Sequence, residues 1–307
     1  MEGKTVIRMK TFKKNLWLTI LALPAILFLL VFNYLPMYGL LLPFKNFRYD
    51  KGFWGSEWVG FENFEYLFKS DMALNATRNT ILYNVVFIFG GMVVSVSIAL
   101  MLFEMSKGAV KVFQTFLLLP YFISWVVVAY AVRAFLDMDY GMFNSVLKMF
   151  GKESVMWYNR AEVWPAIIIV ANVWKGMGYG ALVYYAALMG TNMELYEAAR
   201  VDGAGKLKQI WHVSIPAIRP MICMMLILNI GKMLSSDFGL FYNLTLNSPL
   251  LYKTTDVLST FTYRSLITLG DVGMSAAASF YQSVVGFFLV LLSNWITRKI
   301  SEENALF

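Results

Sequence analysis

One cysteine, Cys223, and one histidine, His212, are all the chain holds of either type in 307 residues. A single thiol excludes an internal disulfide and a cysteine-based metal cluster. A single imidazole excludes a histidine-rich metal site or a His–His dyad. His212 has no Cys or carboxylate beside it at ligand spacing, which marks it as structural or partner-facing. Cys223 stands in an apolar run and reads as a small core residue. Charge is scarce too, at 15% of residues against ~25% in an average soluble domain. Also missing is a glycine-rich turn ending in Gly-Lys-Ser/Thr, which would cradle nucleotide phosphates. Of the Gly-Lys pairs, only Gly3-Lys4 precedes a threonine, and no glycine stands five residues before it. Any nucleotide hydrolysis is therefore expected on another chain.

What the sequence has in excess is apolar surface. Hydrophobic residues make up 59% of it and aromatics 17%, against ~45–50% apolar in soluble domains. This aromatic content excludes disorder, and the apolar excess points to lipid as the solvent. A spanning helix needs about 20 mainly apolar residues. Six runs qualify, at 16–42, 80–103, 112–136, 163–189, 217–240 and 272–296. The expected fold is an all-α membrane protein with six transmembrane helices. The first run is too long for a signal peptide and no Ala-x-Ala-like site follows it, so it reads as a retained helix. Pro24 and Pro36 lie near its ends, where a membrane helix tolerates them.

Lys and Arg counts set the orientation. With the N-terminus inside, thirteen of the 26 fall on inner segments and nine on outer ones; Arg78, Arg133, Lys175 and Lys232 lie in or beside helices. Both termini are then cytoplasmic. The basic residues Lys4, Arg8, Lys10, Lys13 and Lys14 adjoin a spanning helix. They read as a topogenic contact with anionic membrane lipid, and not as a nucleic-acid patch. With no internal repeat or linker, 1–307 is one transmembrane domain, comprising a basic N-terminus at 1–15 and a long inner loop at 190–220.

In the first outer loop Phe61, Phe64, Leu67 and Phe68 recur at helical spacing, with Glu62, Glu65 and Lys69 on other faces. This predicts a short amphipathic helix, either in the lipid interface or packed on neighbouring protein. The inner loop 190–220 is the most informative segment. Thr191 and Glu194 form a candidate capping box for a helix running to about Val201. Gly203 is placed to end that helix in the left-handed conformation. A second short helix is expected at about 205–213, separated from the fifth span by Pro216 and Pro220. Small residues, Ala198, Ala199, Gly203 and Ala204, leave a smooth surface for another protein, and Glu197 and Asp202 add acids for a basic partner. A structured loop of this length is more often functional than decorative.

EAARVDGAGKLKQIWHVSIPAIRP, residues 197–220, resembles the EAA loop of permeases from bacterial binding-protein-dependent ABC importers. Glu197, Ala198, Ala199, Asp202, Gly203, Ala204, Ile215, Pro216 and Pro220 match that pattern. The likeness continues through 23–47, 119–132, 174–180 and 260–266, which resemble maltose-transporter-like permeases for oligosaccharides released from complex polysaccharides. Tyr121 stands where many relatives carry His, and SSDFGLFY at 235–242 departs from the commoner Phe-Glu-Gln version. The resemblance implies a type I ABC-importer permease fold in the bacterial cell membrane. It implies a second homologous permease, two cytosolic ATPases holding ATP and Mg, and an extracellular lipoprotein that delivers the sugar. This chain would carry no cofactor. ATP-driven closure of the ATPases would swing the permeases from inward- to outward-facing. Glu197 would enter an ATPase cleft near basic residues, and Gly203 would form the turn between coupling helices. Ala198, Ala199, Asp202 and Pro216 belong to the same surface.

Polar groups inside spans are costly and usually face the bundle or a cavity. Here they are Ser124, Trp125, Asn172, Trp174, Lys175, Tyr179, Asn229, Lys232, Gln282 and Ser283. Hydrogen-bonding groups beside flat aromatic faces suit a sugar pathway; interhelical packing is the competing reading for each residue. Gly176 and Gly180 are expected to allow close helix approach. Lys175 and Lys232 lack an acid one helical turn away, which suits an acidic oligosaccharide such as a uronic-acid fragment. Asp237 is the alternative counter-ion. Besides a membrane-anchored scaffold with no transport, against which the mid-membrane polar groups argue, two other readings remain open at this point. One is a permease of the same family for another solute. The other is a secondary transporter acting alone, against which stands the absence of a visible inverted repeat.

Overall fold

The computed structural model describes residues 16–300. The basic N-terminal cluster lies outside the described residues. Five helices are long and apolar enough to cross a membrane, and a bent pair brings the number to six. In lipid every backbone polar group must be paired within the chain, which is why the apolar runs become helices.

The spans are α1 (Leu16–Phe44), α3 (Asp71–Phe103), the pair α4 (Lys107–Phe122) and α5 (Trp125–Phe135), α7, α9 (Lys206–Gly231) and α12. α7 is Trp164–Met189 and α12 is Val272–Ile300. Shorter helices are α2 (Glu62–Lys69), α6 (Met142–Met149), α8 (Glu194–Val201), α10 (Phe238–Leu244) and α11 (Leu258–Ile267). The only sheet among the described residues pairs β1 (Lys45–Asn46) with β2 (Glu57–Trp58), antiparallel.

Four of the expected elements differ. The second span begins at Asp71 and not near 80, because its polar start is paired with a loop. Asn75 Nδ2 donates to Tyr252 O at 3.1 Å and Asn79 Nδ2 to Asp256 O at 3.0 Å. The run at 112–136 is not one straight span: α4 and α5 meet at 93°. Pro120 lies in the last turn of α4 and Ser124 caps α5, its Oγ accepting from Val127 N. The run at 217–240 ends as a helix at Gly231, and a turn separates it from α10. Asp237 caps α10 through Oδ1, which accepts from Leu240 N at 3.2 Å. Finally, the short helix expected at 205–213 is not separate. It is the beginning of α9, joined to the fifth span through a wide π turn at Ile210–Ser214.

That wide turn explains how Pro216 is absorbed. Ile215 N donates to Ile210 O, five residues back, so the helix widens just before a residue whose ring would otherwise clash with the preceding turn. α1 repeats the device. A π turn at Leu30–Tyr34, closed by Leu35 N on Leu30 O, directly precedes Pro36.

Packing in lipid depends on close approach, since the lipid tails are as apolar as leucine. α3 and α7 lie against each other along their length. A Cβ on Gly178 would stand 1.8 Å from Leu117 O, and one on Gly180 2.4 Å from Ser95 Oγ. Gly176 meets nothing within 4 Å; the close-packing pair is Gly178 with Gly180, not Gly176 with Gly180. One end of the bundle is covered by loops. There Trp164, Phe241, Leu244, Leu251 and Val257 form a buried cluster. α2 packs on protein here, with Leu67 buried and Phe64 against Phe44 and Phe280, while Phe61 and Phe68 stay exposed. The opposite end carries α8.

Candidate functional site

Two cavities lie among α3, α4, α7 and α9. One, of about 390 Å³, is lined by Asn84, Asn172, Gly176, Tyr179, Asn229, Lys232, Ser235 and Asp237 among others. The other, of about 500 Å³, is lined by Tyr121, Ser124, Trp125, Asn172, Lys175, Gly176 and Asp237. They share Asn172, Gly176 and Asp237. Their sizes fall in the range of small-molecule sites, ~300–1,000 Å³. A third recess of about 380 Å³ places Lys232 with Ser235, Gln282 and Ser283.

The bend between α4 and α5 organises the larger cavity. Because the helix stops there, the last carbonyls of α4 lose their next helical donors. Lys175 adds donors there: Nζ donates to Tyr121 O at 2.7 Å and to Pro120 O at 3.3 Å, the latter shared with Ile123 N. The same ammonium stands 5.6 Å from the Tyr121 ring centre and 5.4 Å from that of Trp125, close enough for cation–π attraction. Trp125 Nε1 donates to Asp237 Oδ2. Tyr121 stacks on Tyr179, with centroids 5.0 Å apart and planes 13° apart. The result is a polar, aromatic-walled space, the combination that grips a sugar's hydroxyls and its apolar ring face.

At the opposite end, α8 is tied down by one face. Tyr196 is buried; its hydroxyl pairs with Ser214 Oγ at 3.0 Å and its ring lies 5.5 Å from Phe103. Lys206 pairs with Glu104, and Gln209 Nε2 donates to Ala204 O. The helix start is capped by Asn192, not Thr191: Asn192 Oδ1 accepts from Glu194 N at 3.0 Å. The expected box is absent because Thr191 N itself closes the end of α7, donating to Leu188 O. Gly203 takes φ +75° and turns the chain, with Ala204 N donating to Ala199 O. The other face is open. Glu197, Ala198, Asp202, Gly203 and Pro216 are exposed and Ala199 is half-buried. Among the described residues, the Glu197 and Asp202 carboxylates have no hydrogen-bond or ion-pair partner. Val201, Leu207 and Trp211 expose large apolar surfaces beside them.

Residues 72–302 match the family described as the binding-protein-dependent transport system inner membrane component. The chain belongs to this family. It is thus a membrane-embedded permease subunit, set in the inner membrane. It is 34% identical over 303 residues to Protein LplB of Bacillus subtilis (strain 168), covering 98% of this chain and 95% of that one. It is 32% identical over 289 residues to the polygalacturonan/rhamnogalacturonan transport system permease protein YteP of the same organism, covering 94% and 89%. Two solved structures share its fold. One is a chain of a bacterial ABC transporter involved in the import of the acidic polysaccharide alginate, with TM-score 0.87, 34% identity, and coverage of 95% of this chain and 99% of that one. The other is a bacterial alginate ABC transporter in complex with alginate pentasaccharide-bound periplasmic protein, with TM-score 0.86, 34% identity, and coverage of 95% and 97%. The chain therefore has the fold of an ABC-importer permease.

Within this permease, the candidate pathway residues do not all meet. Ser124, Trp125, Asn172 and Lys175 line the larger cavity; Asn172, Tyr179, Asn229 and Lys232 line the smaller. Gln282 sits at the recess, where its Nε2 donates to Leu234 O at 3.0 Å and closes the end of the fifth span. Trp174, 39% exposed, lines none of these spaces. Asp237, Tyr121 and Ser235 join the site from outside the list of candidates. Asp237 had a signal, as the only acid near two membrane lysines. Tyr121 and Ser235 stood out only as departures from the family pattern, since it is the bend and the early end of α9 that bring them in.

Proposed function

We propose that this permease forms half of the pathway of an ATP-driven importer of acidic oligosaccharides. The observation that carries this reading is the charge on the cavity walls: Lys175 and Lys232 against one carboxylate, Asp237. The joined space holds a net positive charge among aromatic faces, which suits a uronic-acid chain. Relatives named for polygalacturonan/rhamnogalacturonan and alginate support the same class.

In this reading both termini are cytoplasmic and α8 faces the cytosol. A second homologous permease completes the pathway, an extracellular lipoprotein delivers the sugar, and two ATPases dock on the α8 loops. ATP and Mg belong to the ATPases. Glu197, Ala198, Ala199, Asp202, Gly203 and Pro216 form the docking surface on this chain. An unpaired carboxylate pair beside exposed apolar residues suits a basic, partly apolar protein cleft.

Tagged purification in mild detergent with mass spectrometry, followed by reconstitution in liposomes, tests the assembly. The expected result is recovery of a second six-helix chain and an ATPase, with ATP-dependent uptake of a labelled oligogalacturonate. Uptake by this chain alone without ATP would instead make it a secondary transporter. ATP-dependent uptake restricted to neutral oligosaccharides would overturn the acidic substrate class.

A further inference from the structure

The two lysines of the pathway have different surroundings. The Lys175 ammonium is committed: two donors go to the Pro120 and Tyr121 carbonyls and its outer face to the Tyr121 and Trp125 rings. It acts as a side-chain cap on a helix that stops inside the membrane, where basic groups at a C-terminus are favourable. Asp237 is committed as well, with Oδ1 on the cap of α10 and Oδ2 on the Trp125 indole.

Lys232 is not. It is the residue that follows α9, its backbone N–H bonds back to Asn229 O, and its side chain is exposed. Among the described residues its ammonium has no hydrogen bond, ion pair or aromatic partner. It lies on the wall shared by the 390 Å³ cavity and the 380 Å³ recess, and Asp237 is the only acidic residue lining either. An ionisable side chain kept in a membrane pathway without an internal partner is costly, and its natural counter-charge is the ligand's.

Resting on the acidic-oligosaccharide reading, we propose that Lys232 is the specificity-determining residue that receives the sugar carboxylate, and that Lys175 is a positioning residue that holds the α4–α5 bend. The division follows from donor arithmetic. An ammonium has three donors. Lys175 has two of them spent on carbonyls at the end of α4, that of Pro120 shared with Ile123 N, so a carboxylate would have to displace those bonds to engage it fully. Lys232 offers all three to a ligand. Ser235, which shares both the cavity and the recess with Lys232, gives the same ligand a neutral hydroxyl partner.

The test is a reconstituted importer, with its binding protein and ATPases held constant. It is assayed with a labelled oligogalacturonate and with its carboxyl-reduced, neutral counterpart. Lys232→Met is expected to lower the acid-to-neutral uptake ratio about tenfold or more, the scale of one lost charge-assisted hydrogen bond. Lys232→Arg is expected to restore most of the ratio. Lys175→Met is expected to depress uptake of both sugars together and to leave the ratio within about twofold, since it disturbs the bend and not the choice of ligand. Co-purification of the ATPase with each variant identifies any that fails to assemble, and Lys232→Gln provides a second neutral side chain for the comparison. If wild type moves the acidic sugar but Lys232→Met and Lys232→Gln leave the ratio where it was, the assignment to Lys232 is wrong and the acidic substrate class stands. A ratio that collapses in Lys175→Met instead assigns the carboxylate to Lys175. If wild type moves only the neutral form, both the substrate class and the assignment fall together.

Discussion

At the loop-covered end of the bundle, Asp256 is 2% exposed and its carboxylate is fully employed. Arg264 Nη1 donates to it at 2.9 Å, Arg264 Nη2 forms the ion pair, and Thr260 Oγ1 donates at 2.7 Å. The Arg264 guanidinium in turn covers the Tyr252 ring, 4.1 Å from its centre. At the opposite end, Glu197 and Asp202 stand in the open with no hydrogen-bond or ion-pair partner among the described residues, and Val201 is 88% exposed beside them. The same chain has finished its electrostatics at one end and left them unfinished at the other. Burial makes a satisfied charge structural, because removing one partner strands the other. Exposure makes an unsatisfied charge available, because holding it ready costs almost nothing in water. Open carboxylates and apolar side chains on a helix anchored by its other face are what the proposed docking of a partner protein requires.

The largest expected effect tests the finished end. Asp256→Ala leaves the Arg264 guanidinium nearly buried, its side chain 13% exposed, without its acid. The expected loss is about 3–5 kcal/mol of stability, seen as a lower unfolding midpoint in detergent and poor accumulation in the membrane. The comparison predicts a secondary result: the variant that does accumulate still binds the ATPase. A stable Asp256→Ala chain would mean that the loop layer is held by its apolar cluster alone.

Next comes the unfinished end. Glu197→Lys reverses a charge that nothing among the described residues balances, so the permease is expected to fold and insert as wild type does. ATPase docking is expected to weaken by about 2–5 kcal/mol, as for one lost interfacial charge pair, with uptake falling to background. Co-purification and transport measured on the same preparation separate the two ends. Wild-type uptake would remove Glu197 from the coupling surface, and a misfolded chain would show that this carboxylate has an internal role.

The two ends were not equally legible in the sequence. The α8 end was read from local chemistry: the Ala-rich helix, the glycine turn and the prolines are all signals between near neighbours, and the helix and the turn at Gly203 stand where that reading puts them. What it missed there was continuity. Pro216 reads as a break, yet a wide π turn carries the helix past it into the membrane. The runs of apolar residues likewise located the spans, because hydropathy reports composition. It does not report direction, so the 93° bend hidden in the apolar run 112–136 left no trace beyond Pro120 and Ser124. The pathway suffered most from this. Which side chains share a cavity depends on that bend and on where α9 stops, so Asn172 and Lys175 were findable as polar intruders while Tyr121 and Ser235 were not. Asn75 and Asn79 teach the same lesson at the loop-covered end. They look like the polar flank of a span, and only their long-range carbonyl partners show that they lie within it.

The smallest expected effect sharpens the comparison at its most local point, the turn after α8. Gly203 holds φ +75°, and a Cβ there would meet nothing within 4 Å. Any cost of substitution is therefore conformational and not steric. An L-residue in the left-handed region costs roughly 1–2 kcal/mol, with asparagine less penalised because its side chain hydrogen-bonds locally. Gly203→Ala is expected to retain the fold, since the strain is small beside the anchoring of Tyr196 on Ser214 and Phe103. It should nonetheless reduce ATPase binding and uptake by roughly 5- to 30-fold, the ratio that one or two kcal/mol sets. Gly203→Asn is expected to fall between alanine and wild type. That ordering is the signature of a turn whose backbone shape, and not its side-chain space, presents the open carboxylates to a partner. Equal activity of all three would mean that the docked loop does not keep the φ seen at Gly203, and that the partner reshapes the turn as it binds.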